Sequence, residues 1–325
     1  MRGLAERGVR ARVWDLSATA EPDVLGGVVA ARPSLVHAFH AFRSGPLARE
    51  TARRLAVPYV VTLTGTDVNH DLEAAEAATV TPVLAGAAAI TVFHRSIASR
   101  LTRVLPDLAP RVVEIPQAVR FAATEPLDLA ASWALPADRL LVLFPGGIRE
   151  VKAPRLTLQG LEPVAARHPR LRLAYAGPIL EDAEGDALLE AIRGHPWARY
   201  LGPVPHARMA SLLAQADVVV NSSVSEGGMA NAVLEAMALG RPVLASDIEG
   251  NRSLVEHNIT GLLFRTAEEL AAQAERLVGD AGLRARLGAA GRRQVEQAYP
   301  PHREADAYVA LYRSLGVVPA APAGR

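Results

Sequence analysis

Residues 216–240 read A-D-V-V-V-N-S-S-V-S-E-G-G-M-A-N-A-V-L-E-A-M-A-L-G, and the rest of the chain is organised around them. Val218 to Val220 form a β-branched run too short for a helix, and the Ser/Glu/Gly cluster behind it reads as a strand-to-helix loop. A helix is expected from Ala230 to Leu239, because Ala, Leu and Met favour it and Gly240 followed by Pro242 stops it. That helix is apolar nearly all round, the pattern of a helix buried on most sides. Only Asn231 and Glu235 are polar, and at a spacing of four they share the face that points back toward Glu226, Gly227 and Gly228. A buried carboxylate needs hydrogen-bond donors, and no cation lies within one helical turn of Glu235. The hydroxyls of a sugar could supply them; so could solvent or a distant arginine.

Outward from this stretch the chain alternates strand and helix, the mark of parallel sheets covered on both faces. Strands are expected at Leu35–Phe39, Tyr59–Thr64, Ala89–Phe93 and Val112–Ile115. A second series follows at Leu140–Phe144, Leu171–Tyr175, Tyr200–Leu201, Val218–Val220, Val243–Ala245 and Leu262–Phe264. Helices are expected at Pro46–Leu55, Leu72–Ala85, Ser96–Leu105, across Ala267–Tyr299 and, after the break at Pro300 and Pro301, at His302–Leu315. At 325 residues the chain exceeds what one core usually covers. The expected division is 1–122, 123–300 with a linker at 120–138, a last helix 301–316 returning to the first domain, and a disordered tail 317–325. Leu4–Arg7 with Gly8 read as the end of a helix, and Val9–Trp14 as an alternating strand. A doubly wound domain would place a strand, a Gly-rich loop and the rest of that helix before them, so the first sheet is expected to lack its first strand.

Thirty-five basic residues against 34 acidic ones, scattered along the chain, give no nucleic-acid surface. The absence of cysteine removes disulfides and thiolate metal sites. No signal peptide opens the chain and no apolar run reaches spanning length, so a cytoplasmic location is expected, with a weak peripheral membrane contact still compatible.

Lys152 is the only lysine; every other member of the Lys and Arg set is arginine. It stands in Pro145-Gly-Gly-Ile-Arg-Glu-Val-Lys152, a loop after a strand and before a helix that Pro154 can start. Gly146 and Gly147 let backbone approach an anion, the helix start favours negative charge, and Arg149 and Lys152 add two mobile cations. A nucleotide diphosphate suits this loop; the plain alternative is a Gly-Gly turn with two solvated charges. It is neither a Walker loop nor a dinucleotide fingerprint. His37–Gly45 (H-A-F-H-A-F-R-S-G) and Leu63–Asp71 (L-T-G-T-D-V-N-H-D) follow N-terminal strands, where ligands of open α/β sheets bind. His40, Arg43 and Asp67 are the candidates there for acceptor binding or proton transfer, against ordinary surface chemistry for each. Asp-x-Asp, H-E-x-x-H and G-x-S-x-G are absent, so metal hydrolysis and serine hydrolysis have no support.

S-E-G followed by L-E-A-M-A-L-G-R-P-V, then G-N and G-L-L-F, resembles the donor signature of the GT-B glycosyltransferases, the retaining two-glutamate family (glycosyltransferase group 1, or family 4). G-T-D-V-N, V-N-S-S-V-S-E-G and G-x-R-x-V-K-x-P together resemble the group called glycosyltransferase 1 domain-containing protein 1, over about Leu4 to Leu315, with a secondary likeness to selenosugar synthases. The resemblance implies two Rossmann-like doubly wound parallel-sheet domains facing a cleft, and transfer of a sugar from a nucleotide-diphosphate sugar to an unknown acceptor. It assigns Glu226 and the N–H groups of Gly228, Met229 and Ala230 to the transferred sugar and Glu235 to the ribose, with Gly227 and Asn231 also in the donor site. Gly147, Arg149 and Lys152 take the diphosphate, and no bound metal is implied. His40 and Asp67 would join Glu226 in catalysis, with Arg43, Gly65 and Thr66 on the acceptor side. Two departures stand out: eight residues separate the glutamates where the family usually has seven, and Thr64 stands where many members have histidine. Two other readings of the same residues are a nucleotide-sugar-binding protein without transferase activity and a sugar epimerase on this fold.

Overall fold

The computed structural model describes residues 2–72, 74–121, 125–129, 133, 135–226 and 228–318. The chain divides into two compact units, Met1–Ala118 with Pro300–Arg325, and Val119–Tyr299.

The first unit runs α1 (Arg2–Ala5), α2 (Glu21–Ala31), β1 (Val36–Phe39), α3 (Gly45–Leu55), β2 (Tyr59–Thr62), α4 (Thr66–Asn69), α5 (Ala77–Gly86), β3 (Ala89–Val92), α6 (Arg95–Val104) and β4 (Val112–Glu114). Its strands pair in parallel in the order β1-β2-β3-β4. Every position of β2 and β3 is buried, as befits strands covered on both faces. Alternation along each strand sorts the two faces. Val61 and Ile90 pack with Ala48, Ala52, Val83, Leu84 and Leu101 of the helices on one side. Val60 and Ala89 pack with Val9, Tyr308, Val309 and Tyr312 on the other. The chain's last helix, Pro301–Ser314, therefore belongs to this unit.

Two local expectations change. Val9–Trp14 is not a strand. A strand needs a ladder partner, and among the described residues β1 is bonded to β2 alone. The stretch is anchored by side chains instead: Val9 is buried among the tyrosines of the last helix, Arg12 lies 4.0 Å over the Trp14 ring, and Trp14 rests on Gly27, where a Cβ would overlap the indole. The second change is α2, a helix carrying Gly26 and Gly27 inside it. Paired glycines usually weaken a helix, and here one of them makes room for Trp14. The helix expected over 72–85 starts only at Ala77.

The second unit runs β5 (Leu140–Pro145), α7 (Pro154–Arg167), β6 (Leu171–Ala176), α8 (Asp182–Arg193), β7 (Ala198–Tyr200), α9 (His206–Gln215), β8 (Val218–Asn221), α10 (Asn231–Ala238), β9 (Val243–Ser246), α11 (Glu249–Arg252), β10 (Leu262–Phe264), α12 (Ala267–Gly279) and α13 (Ala281–Ala298). All its strands are parallel, in the order β10-β9-β8-β5-β6-β7. The order reverses at β5, which has β6 on one side and β8 on the other. Such a reversal splays the loops leaving the two strands and opens a crevice at their carboxyl ends. Part of the expected linker is docked on this unit: the Glu125 N–H donates to the Ala207 carbonyl at 2.9 Å and the Leu127 N–H to Ser211 Oγ at 3.0 Å. Of the expected tail, residues 319–325 lie outside the described residues.

Candidate functional site

The loop leaving β5 is held by the loop leaving β6. The Gly146 N–H donates to the Ala176 carbonyl and the Ile148 N–H to the Pro178 carbonyl, each at 2.8 Å, while the Leu180 N–H returns a bond to the Ile148 carbonyl at 2.9 Å. Gly147 lies against Leu180 so closely that a Cβ would overlap that side chain. A single 3₁₀ turn, Glu150–Lys152, then leads through Ala153, at a left-handed φ of 43°, to Pro154 and α7. Arg149 and Lys152 thus sit on a braced turn. The Nε of Arg149 is buried and has no hydrogen-bond partner among the described residues. Buried donors are normally paired, so an orphan here marks a place where a ligand can bond.

The loop leaving β8 meets this turn directly. Ser222 Oγ donates toward the carbonyls of Lys152 and Ala153, at 3.0 and 2.9 Å, and lies 2.9 Å from Thr157 Oγ1. Lys152 forms an ion pair with Glu226, both side chains being largely buried. Oε1 of Glu226 also accepts from Ser223 Oγ at 2.7 Å and from Asn221 Nδ2 at 3.2 Å. A third loop backs the arrangement: Asn251 Nδ2 donates to the Ser246 carbonyl at 3.0 Å, and Ser246 Oγ to the Ser223 carbonyl at 2.5 Å. At Gly250 a Cβ would run into Glu226 Cβ and the Gly228 carbonyl. Asn221, Ser223 and Gly250 went unassigned in the sequence. Their signal was a run of polar residues directly after a fully apolar strand, which burial turns into a hydrogen-bond frame.

Gly228, at φ 128°, with buried Met229 and Ala230, leads into α10. Asn231 is exposed at its first position, and Glu235 is half-buried one turn on. The Glu235 carboxylate makes no hydrogen bond to any described residue. Burial raises its pKa, and the charge of His206 at the start of α9 offsets this in part. Gly227 lies outside the described residues.

In the first unit, His40 follows β1 in a left-handed backbone, φ 88°, and is buried. Its Nδ1 accepts the N–H groups of Phe42 and Arg43, both at 3.3 Å, so its Nε2–H faces Thr66 Oγ1 at 2.8 Å. Burial lowers its pKa, helped by Arg43 and opposed by Asp67 and Asp71. This histidine is a neutral donor that orients Thr66. Asp67 stands in the first turn of α4. It is wholly buried, and its carboxylate accepts the N–H groups of Gly65 at 2.7 Å, Thr64 at 3.0 Å and Ala41 at 3.1 Å. A carboxylate so enclosed clamps two loops together. Arg43 and Thr66 are exposed, and Gly65 is buried at φ 132°.

Two parallel-sheet α/β units, the second with cations and a framed carboxylate at its switch point, give the chain a GT-B-like fold. Residues 139–280 match the family described as glycosyl transferases group 1. The chain is 29% identical over 272 residues to glycosyltransferase 1 domain-containing protein 1 of Xenopus tropicalis, covering 80% of this chain and 77% of that one. It is 30% identical over 178 residues to a D-inositol 3-phosphate glycosyltransferase of Streptomyces bingchenggensis, covering 51% of this chain but 39% of that protein. In fold it is similar to Anabaena HepE, solved with UDP and glucose, at a TM-score of 0.79 and 17% identity, covering 94% of this chain and 84% of that one. No helix among the described residues is long and apolar enough to cross a membrane.

Proposed function

We propose that the protein moves a sugar from a nucleotide-diphosphate sugar to an acceptor with retention of anomeric configuration. The observation that carries this is the meeting of Lys152, the chain's one lysine, with Glu226 at the β5/β8 switch point, beside the unpartnered Nε of Arg149. Two cations suit a diphosphate, and a carboxylate with neutral donors around it suits the hydroxyls of an adjoining ring. In the reaction the bond from the anomeric carbon to the diphosphate oxygen breaks and a bond to an acceptor oxygen forms on the same face. The acceptor's proton passes to the departing diphosphate. Negative charge grows on that diphosphate, and Arg149 and Lys152 stabilise it in the role that a metal ion fills elsewhere. Glu226 holds the sugar hydroxyls. Glu235, half-buried and with its carboxylate unbonded among the described residues, takes the ribose hydroxyls. The loops of the first unit bearing Arg43, Gly65 and Thr66, with His40 behind Thr66, serve the acceptor.

The HepE structure holds UDP and glucose, which makes uridine donors the first to try. The test is incubation with UDP-, GDP- and ADP-sugars in the presence of EDTA, following release of nucleoside diphosphate and reading product configuration by NMR. Release with an unchanged anomeric configuration supports the proposal. An inverted product, or activity abolished by EDTA and restored by a divalent cation, refutes the mechanism as written.

A further inference from the structure

The ion pair at the centre of the site has a consequence for which ligands it retains. Lys152 is the residue expected to meet a diphosphate, yet its ammonium is already engaged by Glu226. We propose that this pair makes the site discriminate a nucleotide sugar from the bare nucleoside diphosphate: the diphosphate takes Lys152 away from Glu226, and a hydroxyl of the transferred sugar replaces the lost donor. The inference rests on the donor-site reading above.

The two partners differ in freedom to move. Glu226 is fixed at its Cβ by the backbone of Gly250, where no further carbon fits, and its Oε1 is held by Ser223 and Asn221. Those two are themselves set, since the Ser223 N–H donates to Asn221 Oδ1 at 3.0 Å. Lys152 carries its charge on a flexible four-carbon stem. The lysine therefore moves and the glutamate stays. Once it has moved, a largely buried carboxylate keeps neutral donors, has lost its charged one, and faces the incoming phosphates as a like charge. A bare nucleoside diphosphate brings no donor to relieve this. A sugar hydroxyl does, at the position the ammonium has left. After transfer the same logic weakens the hold on the nucleoside diphosphate product.

Calorimetric titration of wild type, Glu226→Gln, Lys152→Met and the double variant tests this, using UDP, GDP and ADP and the corresponding glucose nucleotides, with circular dichroism melts to verify folding. For the base that binds, the wild type is expected to prefer the sugar nucleotide by about tenfold or more. Glu226→Gln is expected to tighten the bare diphosphate about tenfold and to reduce the preference below about threefold. The gain must need the lysine: in the Lys152→Met background the same substitution is expected to change diphosphate affinity less than about threefold. Should Glu226→Gln not fold, Glu226→Asp, which keeps the charge but draws it back from Lys152, carries the same expectation for the bare diphosphate. Unchanged or weaker diphosphate binding in Glu226→Gln overturns the exchange, as does a full gain without Lys152. Failure of every nucleotide to bind the wild type overturns the donor site itself as well.

Discussion

His37 on β1 and Tyr312 on the last helix, 275 residues apart in sequence, share a hydrogen bond of 2.7 Å between Nδ1 and the phenolic oxygen. Nε2 of the same ring lies 2.7 Å from Thr62 Oγ1, so both nitrogens are engaged beneath the helix. Burial pushes this histidine down to about 4 from its ordinary 6.5. A depressed histidine leaves the unfolded chain binding the proton first, so stability is full above the ordinary value and is lost as pH falls from 6.5 toward 4. The loss between pH 7 and pH 5 is about 2 kcal/mol. Urea unfolding at the two pH values measures it, and His37→Gln removes most of the difference. Tyr312→Phe lowers stability at pH 7 by about 1 kcal/mol.

Asp67→Ala strands the N–H groups of Ala41, Thr64 and Gly65 in a buried place. Stability is expected to fall by about 3 kcal/mol or more. Nucleotide affinity of the folded fraction, read by titration below the melting temperature, stays within about twofold, because that site belongs to the other unit. Lost affinity in a stably folded Asp67→Ala would contradict the clamp.

Gly250→Ala brings a methyl onto Glu226 Cβ and the Gly228 carbonyl. Overpacking of this kind costs about 1–3 kcal/mol and shifts the loop that bears Glu226. Sugar-nucleotide affinity is expected to fall about tenfold. Gly194→Ala, with open space around the new carbon and an ordinary backbone, is the control and leaves affinity unchanged.

Glu235 accepts hydroxyl bonds most strongly when ionised, and burial has raised its pKa from 4.5. Nucleotide affinity is therefore expected to decline on acidification, starting at higher pH than for an ordinary glutamate, as protonation turns a charged acceptor into a weaker neutral one. Glu235→Gln binds more weakly at neutral pH and flattens the dependence. An unaltered pH profile in that variant would remove Glu235 from the site.

The strands were legible because parallel strands buried on both faces must be written in runs such as Tyr59–Thr62 and Val218–Asn221, whatever their neighbours. Val9–Trp14 carries the alternating pattern of a half-buried strand and is no strand, because pairing is a property of what lies alongside. The cations of the β5 turn and the glutamate of the β8 loop could be picked out from a lone lysine and a polar interruption. Their contact could not, since it depends on the strand order reversing at β5. Asp67 shows the limit most plainly: a carboxylate in a loop at a strand end reads as chemistry, and only the direction of its side chain shows it bonded to three backbone amides.

Lys152→Ala tests the account at its centre, with nucleoside diphosphate release from the sugar nucleotide and the unfolding free energy measured on the same preparation. Loss of a charge that stabilises the departing diphosphate lowers turnover about a hundredfold or more. The accompanying loss of stability is expected to stay at about 3 kcal/mol, since the pair keeps some exposure to water and the lysine bridges two loops already tied by Ser222. Turnover that survives the substitution, or that falls only in step with the folded fraction, would show that the lysine is a strut and that the diphosphate does not bind there.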